Sequence, residues 1–295
     1  MKKLVWALAI GVVLILAWYL FLRPFEYKVK FKAKTLPGDV IETIRMWDRT
    51  LENSKILEVD STYALKQELT LNEHVYTYDW KYEVVNDTTT NVSIEISEPK
   101  RSIINKILIP FTEQPIEKDA RDISYQFVEI LRSHLDITEV KIEGESETLA
   151  KFCACTTLDT RQTDKANGMM RDYKLLAAFV GDFSLELDGP PIVEVTNWNH
   201  NEGKLTYDFC FPIVKNDTLP GVREIKFKEL KSRKALKAIY HGNYITSDRA
   251  WYALVHYAAT NGYKIDGAPI EYFYNNPNMG SNEMEWTAEI FLPVK

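Results

Sequence analysis

The sequence predicts an α+β chain in three successive parts: a transmembrane helix over residues 1–24, one domain over residues 25–137 and a second domain over residues 138–295. Three observations predict this organisation. Residues 4–22 are apolar and carry no charge. Residues 25–137 read as a series of strands that ends in a long helix. In residues 138–295, a strand–helix–strand–strand (βαββ) unit occurs twice.

The apolar run at residues 4–22 is long enough to cross a bilayer. Lys2 and Lys3 precede it, Arg23 and Pro24 end it, and aromatic residues lie near both ends, as they do in membrane anchors. A cleaved signal peptide and a buried core helix are the alternatives. The run has no small-x-small cleavage site and no amphipathic pattern, so we expect a single-pass membrane protein.

The side of the membrane that carries the soluble domains stays open at this stage. Lys2 and Lys3 favour a cytoplasmic N-terminus, whereas Arg23 and the lysines that alternate over residues 28–34 favour the opposite orientation. Those alternating lysines also fit one solvated face of a strand.

Residues 25–137 predict an antiparallel sheet wrapped around a C-terminal helix. Strand-like runs cover residues 26–34, 55–71, 74–85 and 90–98, and helical patterns cover residues 40–51 and 116–135. In the last helix, Ile123, Phe127, Ile130 and Leu131 form an apolar stripe. In element order and length, this region resembles the START-like (SRPBCC) superfamily of hydrophobic-ligand-binding domains. The resemblance implies a helix-grip fold whose cavity is small or filled.

The duplication is visible in residues 186–214 and 264–294. Asp188-Gly189 aligns with Asp266-Gly267, Pro191-Ile192 aligns with Pro269-Ile270, and Phe211-Pro212 aligns with Leu292-Pro293. Each stretch predicts a hairpin with a long polar connection. A helix precedes each hairpin, over residues 163–180 in the first copy and between an N-cap at Ser247 and Gly262 in the second. Strand-like residues 138–158 and 224–239 precede the two helices.

The second copy carries further motifs. These are His241-Gly242-Asn243-Tyr244 before the helix, Asn261-Gly262-Tyr263 at its end, Asn276-Pro277, and TAEIFLPV over residues 287–294. With these motifs, residues 138–295 resemble the GyrI-like effector-binding domain, which occurs on MerR- and AraC-type multidrug-sensing regulators and also alone. Asn243 stands where the family commonly has proline, and Ala288 is inserted in its Thr-Glu-Ile motif. The resemblance implies a cleft between two pseudo-symmetric modules, in which aromatic residues and an inward glutamate bind amphipathic, often cationic, small molecules.

Strand alternation selects candidate residues for such a cleft. In the last strand, Trp286, Ala288, Ile290 and Leu292 share an apolar face that we expect to pack on the helices. Glu285 and Glu289 lie on the opposite face, which is the candidate cleft face, and Asp208 aligns with Glu289. A solvated strand face is the alternative for these acids. The candidate ligand-binding residues are Glu289, Glu285, Tyr244, Tyr272, Tyr274, Asp208 and Trp198.

The three cysteines predict neither a disulfide framework nor a metal site. Cys153 and Cys155 are two positions apart on one apparent strand, which makes them a poor disulfide pair. A metal site would need further ligands nearby. We therefore expect buried thiols, no metal and no cofactor.

Three functions are compatible with these patterns. The first is a membrane-anchored, non-catalytic protein that binds or senses a lipophilic and in some cases cationic small molecule. The second is a GyrI-like hydrolase in which Glu289 activates water beside Tyr244 or Tyr272. The third is a module that binds or inhibits a protein partner. The net charge of -6 argues against a nucleic-acid partner.

Overall fold

The charge-free N-terminal run forms a single exposed helix. The helix α1, Lys2–Ala17, continues into a π-helical turn, Trp18–Leu22, and ends before Pro24. Together they span 21 residues, and none of this apolar segment is buried. Its length and composition suffice to cross a membrane. A signal sequence meets the same criteria, so that alternative stays open.

The structure, a computed structural model, describes residues 2–60, 64–216, 219–280 and 282–295, without the side chain of Asn278. Part of the run predicted over residues 55–71, at positions 61–63, lies outside the described residues. The chain divides into two compact units, Met1–Leu131 and Arg132–Lys295. The boundary expected after Ile137 falls inside the second unit, and the domain limits 25–137 and 138–295 stay a prediction.

The first unit contains a five-stranded antiparallel sheet in the order β1-β5-β4-β3-β2. The elements are β1 (Tyr27–Ala33), α2 (Pro37–Asp48), β2 (Ser54–Asp60), β3 (Ala64–Leu71), β4 (His74–Asn86), β5 (Thr89–Ser97), α3 (Ser102–Leu108) and α4 (Pro115–Asp136). The short helix α3 lies in a stretch for which the sequence predicted no regular element.

The core of this first unit is filled by aromatic rings around α4. The centre of the Phe127 ring lies 4.9 Å from the ring centre of Trp80, 5.4 Å from that of Trp47 and 6.2 Å from that of Phe31. Phe127 comes from the apolar stripe that the helical spacing predicts. The START-like resemblance of this unit stays a prediction.

The second unit contains an eight-stranded sheet in the order β10-β7-β9-β8-β12-β13-β11-β6. Its elements are β6 (Thr138–Glu147), β7 (Lys151–Arg161), α5 (Lys165–Asp182), β8 (Ile192–Asn199), β9 (Lys204–Pro212), β10 (Lys226–Leu230), β11 (Lys234–Gly242), α6 (Arg249–Asn261), β12 (Ile270–Phe273) and β13 (Thr287–Pro293). The repeats β7-α5-β8-β9 and β11-α6-β12-β13 occupy the two halves of the sheet. The duplicated βαββ fold is therefore confirmed, and β8 and β12 meet at its centre.

The edge strands are exchanged between the two repeats. Strand β6 immediately precedes β7 in sequence but pairs with β11, whereas β10 precedes β11 and pairs with β7. The sequence predicted one continuous strand before each helix, which is wrong. Each of these runs is two strands that lead to opposite edges of the sheet, and this exchange ties the repeats together.

The pairing of β7 with β9 also corrects the cysteine prediction. Cys155 and Cys210 are direct partners in the strand register and form a disulfide, while Cys153 is free and buried. The expectation of buried thiols alone is wrong for two of the three residues. Alternation along one strand excluded a Cys153–Cys155 bond, but it carried no information about the neighbouring strand.

The two faces of the eight-stranded sheet have different roles. Trp286, Ala288, Ile290 and Leu292 belong to the core beneath α5 and α6, which confirms the predicted packing of that face of β13. A separate apolar cluster on the opposite face contains Tyr272 with the three cysteines. A ligand on the helix side of the sheet would therefore contact different residues from a ligand on the opposite side.

Candidate ligand-binding site

A cavity of about 250 Å³ opens on the helix-facing side of the eight-stranded sheet. Its walls come from the first turns of α5, a 3-10 turn after β11 and the loop after β12. The lining residues are Ala166, Asn167, Met169, Met170, Tyr173, Pro191, Phe209, Asn243, Tyr244, Ile245, Phe273, Asn275, Asn276, Pro277 and Trp286. Among these described residues, no carboxylate, ammonium, guanidinium or imidazole occurs. The site can therefore hold an apolar molecule and offer it a few amide contacts.

The first turns of α5 lie very close to the sheet, and this close approach positions the α5 side chains that line the cavity. The Tyr207 hydroxyl donates a 2.8 Å hydrogen bond to the Lys165 carbonyl oxygen. A Cβ atom on Gly168 would lie 2.5 Å from the same hydroxyl oxygen. Glycine at this position therefore allows the approach that brings Ala166 and Met169 to the cavity.

A sharp change of direction after β11 delivers Tyr244. Gly242 has a φ of +137°, and a Cβ atom there would lie 2.8 Å from the Ile137 carbonyl oxygen. Asn243 follows, and its side-chain oxygen accepts a 3.0 Å hydrogen bond from the Ile245 amide. The glycine and the asparagine of the predicted motif therefore fix the 3-10 turn Tyr244–Thr246.

Tyr244 presents its ring to the cavity and its hydroxyl group to the neighbouring loop. The ring lies 4.7 Å from that of Phe273 and 5.4 Å from that of Trp286. The hydroxyl donates to the Thr287 carbonyl oxygen at 2.8 Å and accepts from the Asn275 amide at 3.1 Å. Burial raises the pKa of Tyr244 to about 12. The phenol therefore stays neutral and acts as a rigid aromatic wall.

The loop after β12 closes one side of the cavity through two asparagines. Asn275 accepts a 2.8 Å hydrogen bond from the Thr287 amide. Asn276 donates from its side-chain amide to the Tyr173 hydroxyl at 3.1 Å and so connects the loop to α5. The predicted Asn-Pro motif thus lies at the rim of the site.

An ion pair lies at the centre of the sheet on the same face as Phe273. The Lys165 ammonium lies 2.7 Å and 2.9 Å from the two carboxylate oxygens of Glu271, and both side chains are at most 1% exposed. Glu271 also accepts hydrogen bonds from Ser247 at 2.7 Å and from the Trp251 indole at 3.1 Å. This carboxylate is therefore fully occupied by groups of the protein.

The role of Ser247 differs from the predicted N-cap. Asp248 is the residue that precedes the first turn of α6, and its side chain makes no capping hydrogen bond. The Ser247 hydroxyl donates to Glu271 instead. Gly262 ends α6 in the left-handed conformation, as predicted.

Trp198 packs against α6. Its indole donates a 2.7 Å hydrogen bond to the Gln162 side-chain oxygen, and its ring lies 5.1 Å from that of Trp251 and 5.5 Å from that of Tyr252. Trp198 is not among the lining residues of the 250 Å³ cavity. Its predicted part in ligand binding stays a prediction.

Glu289 lies on the sheet face opposite to the cavity. Its carboxylate is 2.8 Å from the Lys237 ammonium and accepts a 2.9 Å hydrogen bond from the Tyr274 hydroxyl. Burial disfavours the Lys237 ammonium, but the contacts with Glu289 and Glu143 outweigh it and raise the pKa of Lys237. The expected meeting of Glu289 with Tyr244 does not occur, because the two residues lie on opposite faces.

The remaining candidate residues lie outside the cavity lining as well. Tyr272 is buried on the opposite face, 5.3 Å from the Phe291 ring, and Glu285 is exposed before β13. Asp208 is buried against Lys226 and Lys228. Burial opposes ionisation of Asp208, but its hydrogen bonds outweigh this effect and lower its pKa. Ligand contacts of these residues stay predictions.

Most residues of the cavity are not among those predicted from the sequence. Glu271 and Phe273 alternate with Tyr272, so the same parity argument would have placed them on the helix face once β12 was oriented. Met169, Met170 and Tyr173 recur at helical spacing in α5 and read as ordinary core residues. The signal that could have found them is the combination of these residues with an unusual glycine inside the same helix.

A family model and several solved structures match parts of this chain. No curated protein sequence matches the chain. The structure of the EcmrR C-terminal domain is similar over 54% of this chain and 98% of that domain, at 18% identity and a TM-score of 0.43. The structure of SAV2435 bound to tetraphenylphosphonium is similar over 52% of this chain and 94% of SAV2435, at 14% identity and a TM-score of 0.39. The structure of a hydrolase from Listeria innocua is similar over 52% of this chain and 92% of that protein, at 11% identity and a TM-score of 0.33.

The family comparison is direct, because residues 174–295 match the family model of the GyrI-like small molecule binding domain. That range contains the lining residues from Pro191 onward, including the turn with Tyr244 and the loop after β12, whereas the lining residues of α5 precede it. Residues 174–295 of this chain therefore form a GyrI-like small molecule binding domain.

Proposed function

We propose that this chain is a membrane-anchored binding protein whose GyrI-like domain holds an uncharged, lipophilic small molecule beside Tyr244. The observation that carries this proposal is the 250 Å³ cavity, which is lined by aromatic rings, thioethers and asparagine amides. Apolar lining favours an apolar occupant, and a few fixed polar groups orient it. Binding without catalysis requires nothing more of these residues.

The size of the cavity favours a small occupant. An engineered apolar cavity of about 150 Å³ is enough to bind benzene. A cavity of 250 Å³ that is open on one side fits a substituted aromatic ring or a compound of similar bulk. Met169 and Met170 line it, and the flexible thioether side chain adapts to occupants of different shape.

The charges around the cavity favour an uncharged ligand over a cationic one. The resemblance to GyrI-like domains implied a glutamate that attracts cations. Glu271 is a buried carboxylate on the cavity side of the sheet, outside the cavity lining, and Lys165 already neutralises it at 2.7 Å. Glu289 is paired with Lys237 on the other face. A cation that enters the cavity would lose water without gaining a carboxylate partner, which is unfavourable.

Membrane anchoring by Lys2–Leu22 is part of the same proposal. The Cys155–Cys210 disulfide supports a location of the soluble units outside the cytoplasm, because such bonds persist in oxidising compartments. Lys2 and Lys3 fit this orientation, in which the N-terminus faces the cytoplasm.

The hydrolase alternative has less support from the geometry. Glu289 contacts Tyr274 and Lys237, and the raised pKa of Tyr244 removes that phenol as a base near neutral pH. The absence of nucleic-acid binding and the existence of a protein partner stay predictions.

A cavity-filling substitution tests the proposed site. Ala166 lines the cavity, whereas Ala178 lies exposed on the same helix, so Ala166→Phe and Ala178→Phe form a matched pair. The full chain in lipid nanodiscs would carry methyl-labelled methionine and be titrated with tert-butylbenzene. The native protein and Ala178→Phe should show saturable shifts of the Met169 and Met170 methyl signals, and Ala166→Phe should lose them. Equal binding by both variants would contradict the site.

A further inference from the structure

The short helix α3 has its polar and apolar sides reversed with respect to the protein interior. Asn105 and Lys106 are buried, although polar residues of a surface helix normally face water. The apolar residues project outward: Ile103, Ile104, Ile107, Leu108 and Phe111. Phe111 is 82% exposed and the three isoleucines are 48% exposed each.

These five side chains form one continuous stripe. Positions 103, 104, 107 and 108 share one side of a helix, because residues three and four apart are neighbours on its surface. The helical turn continues past Leu108, since the amides of Phe111 and Thr112 both donate to the Leu108 carbonyl oxygen. Phe111 therefore extends the same stripe. Exposed apolar patches of this kind mark interaction sites.

The buried polar residues of α3 attach it to the end of the apolar N-terminal helix. The Lys106 ammonium donates to the carbonyl oxygens of Arg23 at 2.5 Å and Leu20 at 3.3 Å. The Tyr19 hydroxyl donates in return to the Lys106 carbonyl oxygen at 3.1 Å. Asn105 is held from the other side by Glu98 at 2.7 Å. The stripe is therefore fixed beside the last turn of the helix Lys2–Leu22.

The last turn of that helix and the residues after it are of the types found at a membrane–water interface. The Arg23 guanidinium lies 4.2 Å from the centre of the Phe25 ring and 5.5 Å from that of Tyr19. Aromatic and basic residues of this type lie at the level of the lipid headgroups. An element that is attached to this turn is at the same level, where an exposed apolar stripe enters the acyl boundary and polar groups face the protein.

We propose that α3 lies in the surface of the bilayer and buries Ile103, Ile104, Ile107, Leu108 and Phe111 among the lipids beside the transmembrane helix. This inference rests on the membrane anchoring proposed above. It adds a second, monotopic contact, which fixes the orientation of the first unit on the membrane, since one helix alone leaves rotation about its axis free.

Depth measurements with spin labels test this contact in the full chain. Single cysteines would replace Ile104 and Phe111 in α3, Leu14 in the apolar helix and Lys66 on β3. Nitroxide labelling is selective, because Cys153 is buried and Cys155 is bonded to Cys210. The unsubstituted protein controls for background labelling. In phosphatidylcholine nanodiscs, collision rates with oxygen and with a water-soluble nickel complex report the depth of each label.

The expected order of depth is Leu14, then Ile104 and Phe111 at a shallow position, then Lys66 in water. A lipid-embedded Leu14 label together with α3 labels that collide freely with nickel would overturn the α3 contact and leave the anchor intact. Labels on α3 that are shielded from both oxygen and nickel would also overturn it, because protein would then cover the stripe. A water-exposed Leu14 label would instead refute the anchor and, with it, this inference.

Discussion

Lys165 and Glu271 are joined at the centre of the eight-stranded sheet, with the ammonium 2.7 Å from one carboxylate oxygen and 2.9 Å from the other. Lys165 begins α5 of the first repeat, and Glu271 lies on β12 of the second. Glu271 is also the register partner of Val193 on β8, where the two repeats meet. One ion pair therefore links the repeats and removes the buried negative charge that a cationic ligand would need.

Lys165→Met should weaken the domain and change its ligand preference. Removal of one partner of a buried ion pair costs about 3–5 kcal/mol, because the other charge stays buried and unpaired. We expect a lower thermal unfolding temperature and a gain of affinity for phenyltrimethylammonium, whose cation would replace the lysine. Tryptophan fluorescence during heating, with and without the cation, measures both effects.

The matched control for this prediction is Lys165→Met combined with Glu271→Gln. The double variant has no buried charge at this position, so it should be more stable than Lys165→Met and should not gain cation affinity. A similar gain in both variants would show that Glu271 is not the cation partner.

The buried tyrosines predict a loss of stability in alkali. Burial raises the pKa of Tyr244 and of Tyr272 from 10.0 to about 12. A group whose pKa is raised by folding stabilises the folded protein fully below its unfolded pKa and loses that contribution as pH rises through the folded pKa. Stability should therefore fall between about pH 10 and pH 12, as measured by tyrosinate absorbance and near-ultraviolet circular dichroism.

Tyr244→Phe separates the contribution of this one phenol. The variant lacks the hydrogen bonds with Thr287 and Asn275, so it should be less stable near neutral pH by about 1–3 kcal/mol. Its stability should also fall less steeply in alkali than that of the native protein. An unchanged slope between the two pKa values would mean that Tyr244 ionises as freely in the folded protein as in the unfolded chain.

The Cys155–Cys210 disulfide should contribute substantially to stability. It closes a loop with a sequence separation of 55 residues, for which the loop-closure estimate is about 4 kcal/mol. The double variant Cys155→Ala/Cys210→Ala should unfold at markedly lower urea concentration, and Cys153→Ala provides the control for loss of a buried thiol. Alkylation of the unfolded, unreduced native protein should modify Cys153 alone. Modification of all three cysteines would contradict the disulfide.

Glu289→Gln should have little effect on binding in the cavity. Glu289 and Lys237 are partly exposed on the opposite face, and such pairs contribute about 0–1 kcal/mol. The titration of the Met169 and Met170 methyl signals with tert-butylbenzene should match that of the native protein. A loss of binding would support the assignment of Glu289 to the ligand site that strand alternation predicts.

Patterns within single elements predicted much of this fold, whereas relations between elements were missed. The repeated Asp-Gly and Pro-Ile pairs predicted the duplication, and alternation along β13 predicted which residues pack on the helices. Alternation defines two faces but does not say which of them carries a cavity. That choice depends on how closely α5 approaches the sheet, and Gly168 against Tyr207 sets this distance.

The pairing of distant strands accounts for the other differences. Cys210 meets Cys155 only because β7 lies beside β9, and Lys165 meets Glu271 across 106 positions of sequence. One sequence contains no signal for such partners, since their side chains are ordinary for the elements in which they occur. The outward isoleucines of α3 were not predicted, because they are exposed while the polar Asn105 and Lys106 are buried, the reverse of the usual pattern.

The most direct test compares tert-butylbenzene with phenyltrimethylammonium, which have the same shape and differ in charge. Methyl spectra of the full chain in nanodiscs would follow Met169 and Met170, with Met46 of the first unit as an internal control. We predict saturable shifts of the two cavity methionines by the neutral compound, at a dissociation constant at least about tenfold lower than that of the cation. Equal or tighter binding of the cation would contradict an uncharged ligand, and no shift with either compound would contradict the cavity as a binding site.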